Sequence, residues 1–596
     1  MLIYFQQSNK VNIMWLSASA VFVLFLQISV AITEDTKLEK KPNIVIILAD
    51  DVGWNDFSLH GSNQIPTPNI DALGFNGVIL DKFYTQQTCT PSRAALLTGK
   101  YPIRLGLQGT PIDAGENRSL PFDTPTMAEH LKNLGYSTHL VGKWHLGAAC
   151  KKQTPTKRGF DTHFGYWEGY VGYFSYEINV TSPIDVKKNF SGFDLHDGFQ
   201  PQWQLQGQYA TELFAKKTLD IIEQHDTSKP LFLMLSHLAG HTGHDGTELG
   251  VPNKTRTDEV YSYIKRSERR TYADLINIMD HSVGEVVQKL SSKGMLENSI
   301  ILFFSDNGAQ TEGMFQNFGS SWPFRGLKFT LFEGGVRGTA AIYSPLFEKQ
   351  NYINKELIHI TDFLPTFYRA AGGNIKDLKN IDGIDQWNVI SKNETTERSH
   401  ILLNIDDFNG YSGILGFGGR YKLLNGSFKD GLYNKYYGEN GRNSENPPYN
   451  ISSILSSPTN LAIQKLKGKI LLDSKKIVQL RKEITLDSCR SANNTDTFLC
   501  NNLCLFDIYS DPCETTNLVK YADKQKIVKS LKEKLDNYLT KIVPADNKPV
   551  DVRSDPKNFN NTWTPWLICN KNNVGIHNNY LDRIINFYIK CFSIFF

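Results

Sequence analysis

Several residues in this chain are of the types that hold cations and oxyanions. Asp50 and Asp51 close the apolar run NIVIIL, and Asp306 and Asn307 follow IILFF in the same way. These residues offer only oxygen ligands. Adjacent acids beside a buried strand repel one another and lose hydration, so they call for a cation. An all-oxygen set suits Ca²⁺ or Mg²⁺ better than zinc, which prefers His and Cys. For Asp50 and Asp51 alone, a capping or solvated pair is the plain alternative. Lys143 and His145 follow STHLV, and a loop with His237, His241 and His244 follows LFLML. A separate stretch, TQQTCTPSRAALLTG, carries Cys89 and Arg93. Thr90 before Pro91 predicts a helix N-cap with proline at the first helical position, and Gly99 predicts the stop. Cys89 then stands just before a helix N-terminus, where backbone N–H groups favour an anion. Arg93 adds permanent positive charge. The place suits a tetrahedral oxyanion. A reactive thiolate fits it too, though no cysteine-protease pattern accompanies it.

The elements that must position these groups are legible in the apolar pattern. NIVIIL, STHLV, LFLML and IILFF are continuous apolar runs of strand length, separated by helical stretches such as TPTMAEHLKNLG and YADLINIMDHSVGEVVQKLSSKG. Strands buried on both faces and alternating with helices predict an α/β domain with a largely parallel sheet, over 42–405. In such sheets ligands bind beyond the carboxyl ends of the strands, which is where the acids, the lysine and the histidines fall. Beyond 405 the texture changes. GILGFGGRYKLLNG predicts a hairpin of exposed strands, and KQKIVKSLKEKLDNYLTKIV has helical spacing. A smaller C-terminal α+β domain is expected over 406–569, followed by an apolar tail, 570–596, of no assigned role.

The chain of 596 residues has a formal net charge of only +3, so no basic surface for nucleic acid is implied. An apolar run from Trp15 to Ile32, preceded by Lys10 and ending in small residues, fits a signal peptide cleaved near Ala31. A membrane anchor is the alternative, weakened by Ser17, Ser19, Gln27 and Ser29; Met14 is an alternative start. Nine N-x-S/T sequons and eight cysteines suit a secretory chain. Cys489, Cys500, Cys504 and Cys513 are expected to pair within their own cluster, in an order the sequence does not give.

At this point the residues resemble a known family. CTPSRAALLTG fits the sulfatase signature C-x-P-S-R-x-x-x-L-T-G. KPNIVIILADDVGWND, VGKWHLG, RGFDTHFGY, FFSDNGA, WPFRGLKFTLFEGGVRG, HITDFLPTFYRAAGG and LFDIYSDPCETTNL agree with it, in family order from Pro42 to about Trp566. The resemblance is to the arylsulfatase B (N-acetylgalactosamine-4-sulfatase) group and its insect relatives. It implies an alkaline-phosphatase-like fold and a sulfuric ester hydrolase. It also implies that Cys89 is oxidised in the endoplasmic reticulum to formylglycine, by an enzyme that reads CTPSR. One hydroxyl of the hydrated aldehyde, held on one Ca²⁺, then attacks sulfur. The second hydroxyl loses its proton and expels sulfate, a release step that a serine lacks.

The roles carried over by the resemblance are these. Asp50, Asp51, Asp306 and Asn307 bind Ca²⁺ together with the modified Cys89. Arg93 steadies the modified residue, and Lys143 and Lys328 hold sulfate oxygens. His145 deprotonates the second hydroxyl, and His241 assists the leaving oxygen. Lys328 is assigned only through RGLKFTLFEGG. His241 competes with His237 and His244, because Gly243 stands where the family commonly has proline. The glycine-rich HLAGHTGHDGTELGVPN departs from the family and bears on the substrate. The implied substrate is a sulfated sugar such as N-acetylgalactosamine 4-sulfate. A small sulfated plant metabolite such as a glucosinolate is the alternative. Localisation is expected in the secretory pathway, lysosomal or secreted, without a stable membrane anchor. Zinc-dependent phosphoryl transfer would need a histidine pair that the acid set lacks. A glycan-binding protein without catalysis would not need every catalytic residue type kept.

Overall fold

In the computed structural model of the chain, the described residues are 2–7, 10–15, 40–486, 500 and 502–569. Most of the expected signal peptide, Cys489, Cys591 and the tail 570–596 lie outside them. Leu2–Gln7 and Lys10–Trp15 pair as an antiparallel hairpin, within a unit of its own, Met1–Lys41. No helix among the described residues is long and apolar enough to cross a membrane.

The apolar runs become strands: Asn43–Ala49 (β1), Val78–Tyr84 (β2), Ser137–Gly142 (β3), Thr162–Gly165 (β4), His196–Asp197 (β5), Gln200–Pro201 (β6), Leu231–Ser236 (β7), Ser299–Ser305 (β8), Ala340–Tyr343 (β9) and Tyr352–His359 (β10). They form one sheet in the order β6-β5-β4-β3-β7-β1-β8-β9-β2-β10. β1 pairs in parallel with β7 and β8, and β7 with β3. β9 runs against both β8 and β2. The sheet is thus mixed and mostly parallel.

Alternation along β1 shows why its sequence has no polar residue after Asn43. Val45, Ile47 and Ala49 face one core with helices Pro68–Asn76 (α1), Ala210–Gln224 and Ser267–Ser292. Ile44, Ile46 and Leu48 face a second core with helices Cys89–Thr98 (α2), Met127–Asn133 and Phe363–Ala370. Both faces are covered, so the β1 residues from Ile44 to Ala49 are fully buried.

A second, antiparallel sheet joins Ile401–Asp406 (β11), Tyr411–Gly416 (β12), Tyr421–Asn425 (β13) and Leu503–Asp507 (β14) in that order. The hairpin expected to be exposed is buried instead along β12 and almost all of β13. Helix Gln525–Leu539 covers it through Val528, Leu531 and Leu535, and Leu327, Phe329 and Leu331 of the preceding region join the same core.

The boundary expected at 405/406 falls inside β11. Pro42–Phe596 is a single compact unit. Chain beyond 405 also returns to the large sheet, since Ile454, Ile463, Ile477 and Leu480 belong to the core around Val45 and Ile47. Cys500 and Cys504 are bonded to each other. Cys150, which the cysteine pattern left unassigned, is bonded to Cys569 across 419 residues.

Candidate active site

The carboxyl ends of β1, β8, β3 and β7 converge on the N-terminus of α2. Asp50 and Asp51 leave β1, Asp306 and Asn307 leave β8, Lys143 and His145 leave β3, and Ser236 ends β7. The helix begins at Cys89, two residues earlier than the sequence predicts, with Thr88 at the N-cap making no side-chain bond. Thr90 is employed otherwise. Its hydroxyl donates to the His145 carbonyl at 3.1 Å and accepts from the Ile112 N–H at 3.1 Å, which fixes the β3 loop. Gly99 ends the helix in the left-handed conformation, as the sequence predicts.

Cys89 Sγ lies 3.5 Å from Asp50 Oδ1 and 3.7 Å from Asp51 Oδ1. Ligand atoms of Asp50, Cys89 and Asp306 lie within 4.8 Å of one another, as do those of Asp51, Cys89 and His241. Each acid faces a cation. Lys143 Nζ donates to Asp50 Oδ2 at 2.6 Å, and Lys328 Nζ to Asp51 Oδ2 at 2.6 Å. Arg93 donates to Asp306 Oδ2 from Nε at 3.1 Å and Nη2 at 2.9 Å, and to Ser236 Oγ from Nη1 at 2.5 Å. His241 Nε2 stands 3.5 Å from Asp51 Oδ2, and its Nδ1 donates to the Thr242 carbonyl at 2.6 Å. All the charged groups here are buried.

Burial and crowding set the protonation states. Burial alone would raise Asp50, but Lys143 and Arg93, with His241 and Lys328, hold it well below the ordinary carboxylate range. Asp306 goes up, because burial and the charge of Asp50 outweigh Arg93 and Lys143. Burial pushes the Cys89 thiol far up, and Lys143 and Lys328 do not offset it. A buried thiol kept protonated between two carboxylates is a poor nucleophile. Burial lowers His241 to about 4, with Asp51 opposing and Lys328 adding. Burial and then Lys143 hold His145 well below its ordinary value.

The donor set fits a hard cation. Oxygens of Asp50 and Asp306 and one of Asp51 each approach Cys89 Sγ, and Asn307 donates its Nδ2 to Asp51 Oδ1 at 2.7 Å while its buried Oδ1 has no hydrogen-bond partner. The other amide orientation presents that oxygen beside Asp51 Oδ1. His145 Nδ1 is also buried without a hydrogen-bond partner, and its Nε2 donates to the Ile112 carbonyl at 2.8 Å. Asp51 and His145 both adopt left-handed backbone, at φ 58° and 61°. Asn317, which the sequence did not flag, holds the first by donating to the Asp51 and Gly240 carbonyls, both at 2.8 Å.

The competing histidines are placed elsewhere. His237 bonds Ser282 Oγ at 2.9 Å inside the core, and His244 bonds Asn179 at 3.1 Å. Lys328 arrives on a loop gripped by the second sheet. Tyr411 donates to the Phe329 carbonyl at 3.0 Å, and Lys422 to the Leu331 carbonyl at 3.1 Å. Neither Tyr411 nor Lys422 carries a sequence signal for this task.

The Sulfatase family profile matches residues 42–373. Arylsulfatase J of Mus musculus is 34% identical over 533 residues, covering 88% of this chain and 80% of its own. N-acetylgalactosamine-6-sulfatase of Mus musculus is 30% identical over 373 residues, covering 60% of this chain and 68% of its own. Among solved structures, Ps i-CgsB shares the fold with a TM-score of 0.64 at 23% identity, covering 85% of this chain and 94% of that one.

Proposed function

The chain belongs to the sulfatase family and is a sulfuric ester hydrolase, and on that premise we propose that it removes sulfate from a sugar such as N-acetylgalactosamine 4-sulfate, with formylglycine made from Cys89 and one Ca²⁺ ion. The carrying observation is the buried Cys89 at a helix start, against Asp50 and Asp51 and within reach of Lys143, Lys328 and Arg93. The family generally uses formylglycine and a metal ion, and the place of Cys89 in CTPSR supports that conversion here. The sugar assignment draws on the name of the N-acetylgalactosamine-6-sulfatase relative and on the motif resemblance to the 4-sulfatase group.

Asp50, Asp51, Asp306 and Asn307 would hold the ion. Bound there, it would neutralise the crowded carboxylates, favour an ionised hydroxyl on the modified residue and draw charge from a sulfate oxygen. The remaining work belongs to side chains. Lys143 and Lys328 bind the anionic sulfate and stabilise the charge that grows on it. Arg93, fixed by Asp306 and Ser236, keeps the modified residue in place. His241 Nε2, turned to the cluster because Nδ1–H is tied to Thr242, is unprotonated at rest; it takes the proton released by the attacking hydroxyl and passes it to the leaving oxygen. His145 takes a proton as sulfate is expelled.

A secretory address is part of the proposal, whether lysosomal or extracellular. The Cys150–Cys569 and Cys500–Cys504 disulfides support it, because such bonds persist in oxidising compartments. The test is mass spectrometry of the tryptic peptide 83–93 from protein secreted by a eukaryotic host, beside assays on N-acetylgalactosamine 4-sulfate, a glucosinolate and an aryl sulfate. A lighter, aldehyde-reactive peptide, with hydrolysis that chelation stops and Ca²⁺ restores, is the expected result. An active enzyme whose Cys89 is unmodified would overturn the nucleophile. Turnover of the glucosinolate alone would overturn the sugar.

A further inference from the structure

Beyond His241 the glycine-rich loop after β7 has no place in the chemistry above, yet it is built around one side chain. A Cβ placed on Gly246 would stand 2.7 Å from the Phe315 ring, so a larger residue there would collide with that ring. Phe315 has φ 58°, a left-handed conformation that a bulky residue rarely adopts. Its own loop is held by the Tyr433 hydroxyl, which accepts from the Met314 N–H at 3.3 Å. The backbone is strained to set this ring in place, and the neighbouring loop is emptied to receive it.

The ring joins two others at the edge of the site. Tyr170 lies nearly parallel to His241, at 12° with centroids 5.4 Å apart. Phe315 stands 5.2 Å from Tyr170 and 5.5 Å from His241. Tyr170 and Phe315 are partly exposed, and Met314 beside them is exposed. His241 turns Nε2 towards Asp51 on the cluster side. The alcohol half of an ester whose sulfur sits among Cys89, Lys143 and Lys328 therefore emerges beside His241, against these faces.

We infer that Tyr170 and Phe315 form an aromatic wall that determines specificity by packing against a flat ring of the leaving alcohol. This rests on the sulfatase reading. The shared chemistry is a ring with an apolar face, either a pyranose or an arene, and acyclic sulfate esters are disfavoured. Large apolar faces with a few placed polar groups are the usual construction of small-molecule sites. Aromatic packing contributes about a two- to tenfold gain in affinity per face.

The test is Phe315→Ala in the full-length, metal-loaded enzyme. KM is measured for a sulfated N-acetylgalactosamine disaccharide and for an aryl sulfate, alongside inhibition by inorganic sulfate, which has no leaving alcohol. KM is expected to rise about tenfold with a ring substrate while the sulfate inhibition constant stays unchanged. The substrate whose KM rises identifies the ring. Phe315→Tyr is expected to restore KM, and Phe315→Leu is not, which separates a flat face from mere bulk. Unchanged KM for both substrates would overturn the inference, as would an equal loss of sulfate affinity. Failure of the unsubstituted enzyme to hydrolyse any sulfate ester would instead overturn the reaction it rests on.

Discussion

Two clusters of buried charge lie in this molecule, and they are finished differently. At the junction of the two sheets, Lys422 Nζ sits 2.6 Å from Glu333 Oε1 and 2.8 Å from Glu514 Oε1. The other oxygen of Glu333 accepts from Tyr84 at 2.9 Å, and that of Glu514 accepts from the Glu333 N–H at 2.7 Å. At the strand ends, Asp50, Asp51 and Asp306 face Lys143, Lys328 and Arg93, but Asn307 Oδ1 and His145 Nδ1 are left without partners and two backbones are strained. At the junction the two glutamate oxygens without a hydrogen-bond partner, Glu333 Oε1 and Glu514 Oε1, both face the Lys422 ammonium. The strand-end cluster is closed only in part, and what it lacks is what a cation and an anion would bring. Buried charge therefore serves packing in one place and chemistry in the other, and what faces the orphaned atoms, rather than burial, tells them apart.

The contrast can be broken by mutation. The largest effect is expected from Cys89→Ser. Hydrolysis should fall about 10⁴-fold, because no second hydroxyl remains to expel sulfate, while thermal stability stays near that of the parent. A stable protein with undiminished turnover would place the nucleophile elsewhere. Next comes Lys422→Met, which leaves two glutamates facing each other in the interior. Denaturant unfolding should show a loss of about 3–5 kcal/mol. A loss under about 0.5 kcal/mol would mean that the junction does not need its cation. The smallest effect joins the two regions. Tyr411→Phe removes one hydroxyl from the loop that carries Lys328, and kcat/KM should drop about fivefold. The same change in a Lys328→Ala background should do nothing further. Equal losses in both backgrounds would show that Tyr411 acts on something other than Lys328.

How much of this was legible depended on how locally each feature is encoded. The apolar runs announced β1, β3, β7 and β8, because strands buried on both faces are mostly apolar along their middles. The groups at their carboxyl ends could then be placed by the geometry of parallel sheets alone. His241 could not be separated from His237 by spacing. Only the packing of β7 sends His237 into the core to meet Ser282. Lys328 follows no strand and depends on a sheet more than 70 residues further along the chain. The expected exposure of the β12–β13 hairpin failed for the same reason, since helix Gln525–Leu539 covers it from a distant stretch. The helix start at Cys89 was missed by two positions because Thr90 spends its hydroxyl on the β3 loop instead of on a cap.

The disulfide between Cys150 and Cys569 gives the site a schedule. Cys89 is 1% exposed in the folded chain, so an enzyme that makes the formylglycine proposed above would have to meet it beforehand. Cys569 is made roughly 480 residues after Cys89, and only then can it tie down the segment that follows Lys143 and His145. At ordinary synthesis rates that interval is about half a minute to a minute and a half. Throughout it the loop that carries Lys143 and His145 lacks its covalent tie, which comes last.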